Sequence, residues 1–197
     1  MKLLYAFFTV ISILFTNNVF AQRIAQHPIF DRLEVTSACD TIPDFNARTE
    51  KIKVYGTVYE QDGITPAKDV ILYIEQPDVD GDFKLKHDGD KKYVHHRAWV
   101  KTDENGHYSF YTFVPGNDRR YNQMQQIFPS VKQPSRPVYD LASFLFEEDP
   151  LLSRRCRKRM NKNGDPTRIL KFKKEGDILA ARKNIVLVDT NDKLAKK

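Results

Sequence analysis

The stretch His96–Phe113, HRAWVKTDENGHYSFYTF, decides the fold class. Two strand-like runs, HRAWVKT and HYSFYTF, flank DENG, a short glycine-containing loop, and the combination predicts a hairpin. The same grammar extends on both sides. KIKVYGTVY (Lys51–Tyr59) has period two, with Ile52, Val54, Gly56 and Val58 on one face and Lys51, Lys53, Tyr55 and Thr57 on the other. EQDGITPAKD is a turn punctuated by Asp62-Gly63 and Pro66, and VILYIEQ (Val70–Gln76) is a β-branched strand apolar on both faces. Towards the C-terminus TRILKFKK, EGD and ILAARKNIVLV read as a second hairpin. Strand signals outnumber helix signals, so the expectation is an all-β chain, an antiparallel β-sandwich of one domain over 51–190. One short helical segment is expected within DLASFLFEEDPLLSRRCRKR (Asp140–Arg159), ending before NKNG.

The flanks frame this domain. Lys2, the apolar run LLYAFFTVISILF and the small residues Val19 and Ala21 have the pattern of a signal peptide over 1–21, cut before Gln22. The run is too short to span a bilayer comfortably, so an exported protein, periplasmic or extracellular, with no membrane span after cleavage is expected. Residues 22–50 form an irregular lead-in and 191–197 a tail. The formal charge of +6 becomes +5 when Lys2 leaves. Much of the excess lies in RRCRKRMNK (Arg154–Lys162), which reads as a solvated face; no aromatic residue interrupts it, so nucleic acid is not an expected partner. Cys39 and Cys156 are the two cysteines, and an oxidising compartment permits one disulfide between them, with an unpaired Cys39 as the alternative.

Candidate chemistry is sparse. DVDGDF (Asp78–Phe83) resembles a calcium loop, but Gly81 falls at the fourth position and no Glu stands at the twelfth, so a solvated turn is expected. YVHHR offers His95 and His96; neighbours on a strand face opposite ways, which argues against both binding one metal. Neither a phosphate loop, a nucleophile elbow nor a CxxC pair is present.

The order of motifs says more. GTVYEQDGITPAKDVILYIEQPDVDGDF, RAWVKTDENGHYSFYTFVPG, FLFEEDPLL and KKEGDILAARKNIVL, spanning about Asp44 to Val188, together resemble the short secreted branch of the intradiol ring-cleavage dioxygenases, the catechol and protocatechuate dioxygenase superfamily. The first two elements also occur in transthyretin-like and carboxypeptidase-regulatory-like sandwiches; FEEDPLL followed by a strand ending IVL selects the dioxygenases. The resemblance implies a non-haem Fe(III) held by two tyrosinates and two histidines, hard phenolate oxygens suiting the trivalent ion. A catechol dianion chelates that iron, and dioxygen opens the ring between the hydroxyl carbons.

At the four ligand positions that the resemblance implies, this sequence has other residues. Phe83 stands in GDF where GxY is usual, and Asp118 follows Pro115-Gly116 where PxY is usual. Gln126 and Phe128 in QIFPSVKQP take the places of HIHP, and sliding RPVY into that frame puts Tyr139 and Leu141 there instead. No histidine follows His107 in either register. The expectation is a catalytically degenerate dioxygenase-like protein acting as a binding or structural module, with no cofactor and with a small aromatic molecule as the ligand to look for. Two alternatives stand beside it. One is an active Fe(III) enzyme that cleaves a catechol-type ring with a rearranged site drawn from Tyr121, Tyr139, His95 and His96, with His87 in reach. The other is a transthyretin-like or carboxypeptidase-regulatory-like adhesion module that never held a metal, favoured if the four positions lie dispersed.

Overall fold

The computed structural model describes residues 26–32 and 34–189; the leader, its cleavage site and the tail lie outside these. Among the described residues there are fourteen strands: β1 (Cys39–Thr41), β2 (Lys51–Tyr59), β3 (Ile71–Glu75), β4 (Leu85–Asp88), β5 (Lys91–Val94), β6 (Arg97–Lys101), β7 (His107–Phe113), β8 (Gln126–Lys132), β9 (Tyr139–Asp140), β10 (Phe144–Phe146), β11 (Ile169–Leu170), β12 (Lys173–Glu175), β13 (Ile178–Arg182) and β14 (Ile185–Val186). One α-helix is described, α1 (Arg154–Asn163). Sheet I has the order β1-β7-β2-β13-β12 with β14 also on β2, and sheet II has the order β11-β10-β8-β3-β6 with β9 on β8. The long ladders β2·β7, β3·β6 and β3·β8 are antiparallel, while β1, β13, β14 and β11 add in parallel.

The two sheets form a sandwich because each alternates. Ile52, Val54, Val58 and Phe110 from sheet I meet Leu72, Ile74, Val100, Ile127 and Val131 from sheet II in one core. Each such side chain contributes about 1.5–3 kcal/mol on burial. β3 is apolar on both faces, as its sequence suggests. Leu72 and Ile74 enter the main core, while Tyr73 joins Ile29, Val35 and Trp99 in a second cluster. Trp99 donates its indole N–H to the Ile29 carbonyl at 3.2 Å, so the lead-in covers the outer face of sheet II. Gly56 is needed where the link between β13 and β14 crosses β2, since a Cβ there would sit 2.0 Å from the Lys183 carbonyl oxygen.

Three expectations are corrected. β6 and β7 are not a hairpin: β6 pairs with β3 in sheet II and β7 with β2 in sheet I, so DENG arches across the core. The helix starts only after Ser153, whose hydroxyl accepts the Cys156 N–H, and it runs through Asn163 to Gly164. Phe144–Phe146 ahead of it are fully buried and gain more as β10, between β8 and β11. Cys39 and Cys156 are free thiols, one on the exposed edge strand β1 and the other on α1. The C-terminal hairpin is present as β12·β13, closed through Gly176 at φ 62°.

Candidate functional site

On β8, Ile127 and Val131 point into the core, which leaves Gln126 and Phe128 together on the outer face. The Phe128 ring packs on Phe83, centroids 5.6 Å apart and planes inclined 47°. The Gln126 amide oxygen accepts the Ser143 hydroxyl at 2.8 Å, and Arg168 in turn donates to that hydroxyl at 2.6 Å. Asp118 is buried in its own turn, bridged backbone to backbone with Gln123. Its carboxylate accepts the Arg120 backbone N–H at 2.8 Å and faces the Arg120 guanidinium. That hydrogen-bonded cation holds the Asp118 carboxyl below the usual carboxylate range.

These segments are fastened to one another by backbone and by one carboxylate. Gly116 donates its N–H to the Asp78 carbonyl at 2.8 Å, and a Cβ on it would meet the Val79 oxygen at 2.2 Å. Gly81, at φ 86°, lies close against Asn117, whose carbonyl oxygen a Cβ would meet at 2.7 Å. Asp149, from FEEDPLL, is 3% exposed and accepts three donors: Asn117 Nδ2 at 3.2 Å, the Gln125 N–H at 2.7 Å and the Leu151 N–H at 2.9 Å. The turns carrying Phe83 and Asp118 and the start of β8 thus form one neighbourhood. Beside Phe128 opens a cavity of about 230 Å³ lined by His27, Tyr73, Glu75, Ser130 and Asp140 among others. Tyr73 donates its hydroxyl to Glu75 at 2.7 Å, and burial, with the Glu75 charge, raises its pKa well above the usual phenol value.

The other candidates scatter. Tyr121 is 79% exposed. Tyr139, opposite Val131, accepts the Val188 N–H at 3.2 Å. His87 sits on the exposed hairpin β4·β5 opposite Lys92. His95 and His96 lie past the far end of β3, where Gln76 donates its N–H to the His96 carbonyl. Gln76 is fully buried and also bridges to sheet I, its amide donating to the Phe113 carbonyl at 3.1 Å and accepting the Thr112 hydroxyl at 2.6 Å.

His95 and His96 do not face opposite ways as strand neighbours would. β5 ends at Val94 and β6 begins at Arg97, so both histidines occupy a bend and strand alternation does not apply. Their Nε2 atoms both lie 3.2 Å from one oxygen, Oδ2 of Asp44. Asp44 comes from the lead-in, in the left-handed region at φ 65° just before the 3-10 turn Phe45–Ala47, and no motif marks it. The His96 ring stands edge-on to Phe113 at 5.0 Å, and its side chain is wholly buried. Burial disfavours the charged imidazolium and lowers the pKa of both histidines against the opposing pull of Asp44. Burial raises the Asp44 pKa, but His96, His95 and Lys84 outweigh it and hold the carboxyl at about 2.

No protein-family model matches the chain, and no curated protein sequence matches it. Solved structures do. The dioxygenase domain of a dioxygenase–carbohydrate-binding fusion from the cellulolytic bacterium Streptomyces sp. SirexAA-E is 21% identical, covering 71% of this chain and 80% of that one, with a TM-score of 0.53. An intradiol ring-cleavage dioxygenase from Tetranychus urticae is 18% identical over 78% of this chain and 87% of that one, at 0.54. An Acinetobacter radioresistens catechol 1,2-dioxygenase variant is 14% identical over 78% of this chain but 57% of its own, at 0.58. The chain therefore has the fold of the intradiol ring-cleavage dioxygenases.

Proposed function

We propose that this protein is an exported binding module on the intradiol-dioxygenase scaffold that does not cleave catechols. The observation that carries this reading is the Phe83–Phe128 ring pair, 5.6 Å between centroids, at positions where the resemblance expects a tyrosinate and an imidazole. Phenyl rings offer no donor atom. Of the other two positions, Asp118 is engaged by Arg120 and Gln126 by Ser143. This donor set does not fit a two-tyrosinate, two-histidine Fe(III). The rearranged set finds little support either, since Tyr139 lies opposite Val131 while His95 and His96 lie beyond the opposite end of β3.

The ligand we infer is a single aromatic ring in the cavity beside Phe128. An apolar cavity of about 150 Å³ is enough for benzene, and this one measures about 230 Å³. Glu75 and Asp140 at its wall accept ring hydroxyls. The test combines iron analysis, the visible spectrum and oxygen uptake with catechol on the mature protein, then a catechol titration followed by Trp99, the single tryptophan, 5.1 Å from Tyr73. Saturable quenching without oxygen uptake is expected. Stoichiometric iron with a tyrosinate-to-iron band overturns the reading.

A further inference from the structure

We propose that Asp44, His95 and His96 form a binding site for a divalent first-row cation, zinc being the first choice. The site is separate from the four positions discussed above and does not depend on how those are read. Its donors are one carboxylate oxygen and two imidazole nitrogens, all within 4.8 Å of one another. An ion bound tetrahedrally with bonds near 2.0 Å places neighbouring donors about 3.3 Å apart. Both nitrogen–oxygen edges, His95 Nε2 to Asp44 Oδ2 and His96 Nε2 to Asp44 Oδ2, are already 3.2 Å. The remaining edge, between the two imidazoles, is no longer than 4.8 Å, so binding requires it to shorten. Three ligands leave room for water, and two imidazoles with one carboxylate suit zinc better than calcium or magnesium, which take oxygen.

Two further features shape this cluster. Asp44 is a non-glycine residue held at φ 65°, ψ 3°, a conformation that aims its carboxylate at the two rings. His96 is wholly buried, and its Nδ1 makes no hydrogen bond among the described residues. An ion bound through Nε2 leaves that Nδ1 without an anchor. The idle Nδ1 also sets the affinity. Ligating histidines usually anchor their second nitrogen, and losing that anchor weakens a site about 10–100-fold. Micromolar rather than nanomolar zinc affinity follows.

Two cations compete with the ion. Lys84 Nζ lies 3.5 Å and Arg48 Nη2 3.8 Å from the same Asp44 oxygen. Arg48 has a nearer partner in Asp78 at 3.2 Å, and Lys84 is 48% exposed and free to withdraw into solvent. When bound, the ion ties the lead-in to the bend between β5 and β6.

The experiment is zinc titration of the metal-free mature protein by calorimetry, with cobalt(II) absorption as a second readout. One zinc per chain with micromolar Kd and visible bands of four-coordinate cobalt is expected. Asp44→Asn and His95→Gln, both at the rim of the cluster, should weaken binding at least about tenfold while remaining folded by circular dichroism. Lys84→Gln should bind severalfold tighter, because it removes a competing charge. No saturable binding below 100-fold above the expected range, about 100 μM, overturns the proposal. So does binding that both Asp44→Asn and His95→Gln leave unchanged, or a Lys84→Gln variant that binds more weakly. A tyrosinate band with iron would refute the function proposed above and leave this site unaffected, since no tyrosine belongs to it.

Discussion

Replacing Asp149 with alanine should be among the most damaging single changes outside the apolar core. Its carboxylate, 3% exposed, accepts Asn117 Nδ2, the Gln125 N–H and the Leu151 N–H at 3.2, 2.7 and 2.9 Å. Hydrogen bonds to a charged group contribute about 1.5–3 kcal/mol each, and a buried donor left without a partner costs about 1–3 kcal/mol. The three share one acceptor group, so their losses do not add in full. Water entering the vacated space recovers part of the rest. A net loss of about 3–4 kcal/mol is expected, a large share of the roughly 5–15 kcal/mol that holds a domain together. For a chain of this size it corresponds to a fall in Tm of roughly 6–16 °C. Urea unfolding gives the global value, and amide hydrogen exchange gives the local one. The Gln125 and Leu151 amides should lose protection before the β2·β7 ladder does. A loss below about 1 kcal/mol, or unchanged protection at both amides, would refute the clamp.

Three other changes test separate parts of the structure. Gly56→Ala forces a Cβ to within 2.0 Å of the Lys183 carbonyl oxygen, so urea melts should show a loss of about 3 kcal/mol or failure to fold. Phe83→Ala and Phe128→Ala, made singly and together, should show a coupling of about 0.5–1.5 kcal/mol in a double-mutant cycle, as their ring contact requires. Lys183, 7% exposed, has its pKa lowered chiefly by burial, only partly offset by Asp165. The folded state therefore holds the Lys183 proton less tightly than the unfolded chain, and the penalty is fully present below the lowered pKa and fades as pH rises through it towards 10.5. Lys183→Met should raise Tm at pH 7 by a few degrees, with the gap to the wild type narrowing at alkaline pH in scanning calorimetry.

Period-two alternation carried most of the fold. It identifies which face of a strand is buried, and Ile52, Val54 and Val58 are indeed wholly buried. It does not identify the hydrogen-bonded partner. The loop Asp103–Gly106 holds itself together through Asp103, which accepts the Asn105 and His107 N–H groups, and that chemistry serves a hairpin and an arch alike. The arch prevails because Tyr108 and Phe110 must face Ala98 and Val100 across the core rather than lie beside them. The helix was harder to place: its ten residues carry no apolar stripe beyond Cys156 and Met160, and its start depends on the Ser153 cap. The cluster at His95 and His96 was illegible for a different reason. Asp44 is 51 residues from His95, its left-handed backbone has no glycine to mark it, and the bend that turns both histidines one way is visible only once β5 and β6 are placed.

A centre with four protein ligands cross-links the segments that supply them, so a chain with other residues at those positions needs something else to join the same segments. Here other groups do. Asp149 fastens Asn117 to Gln125, Gly116 and Gly81 lock the two turns backbone to backbone, and Gln76 bridges β3 to Phe113 and Thr112. None of these groups is a ligand position. With the scaffold held this way, a phenyl ring at Phe83 or Phe128, each half-buried, can gain about 1 kcal/mol from burial, which a solvated phenolate or imidazole there would forgo. Placing tyrosine and histidine at the four positions would have to break the ring pair and release Gln126 from Ser143 before any metal bound. On that account the fourfold variant should be a folded but less stable protein. Weak iron uptake at first, improving only when Ser143 is also changed, would mark the Gln126–Ser143–Arg168 chain as the remaining obstacle.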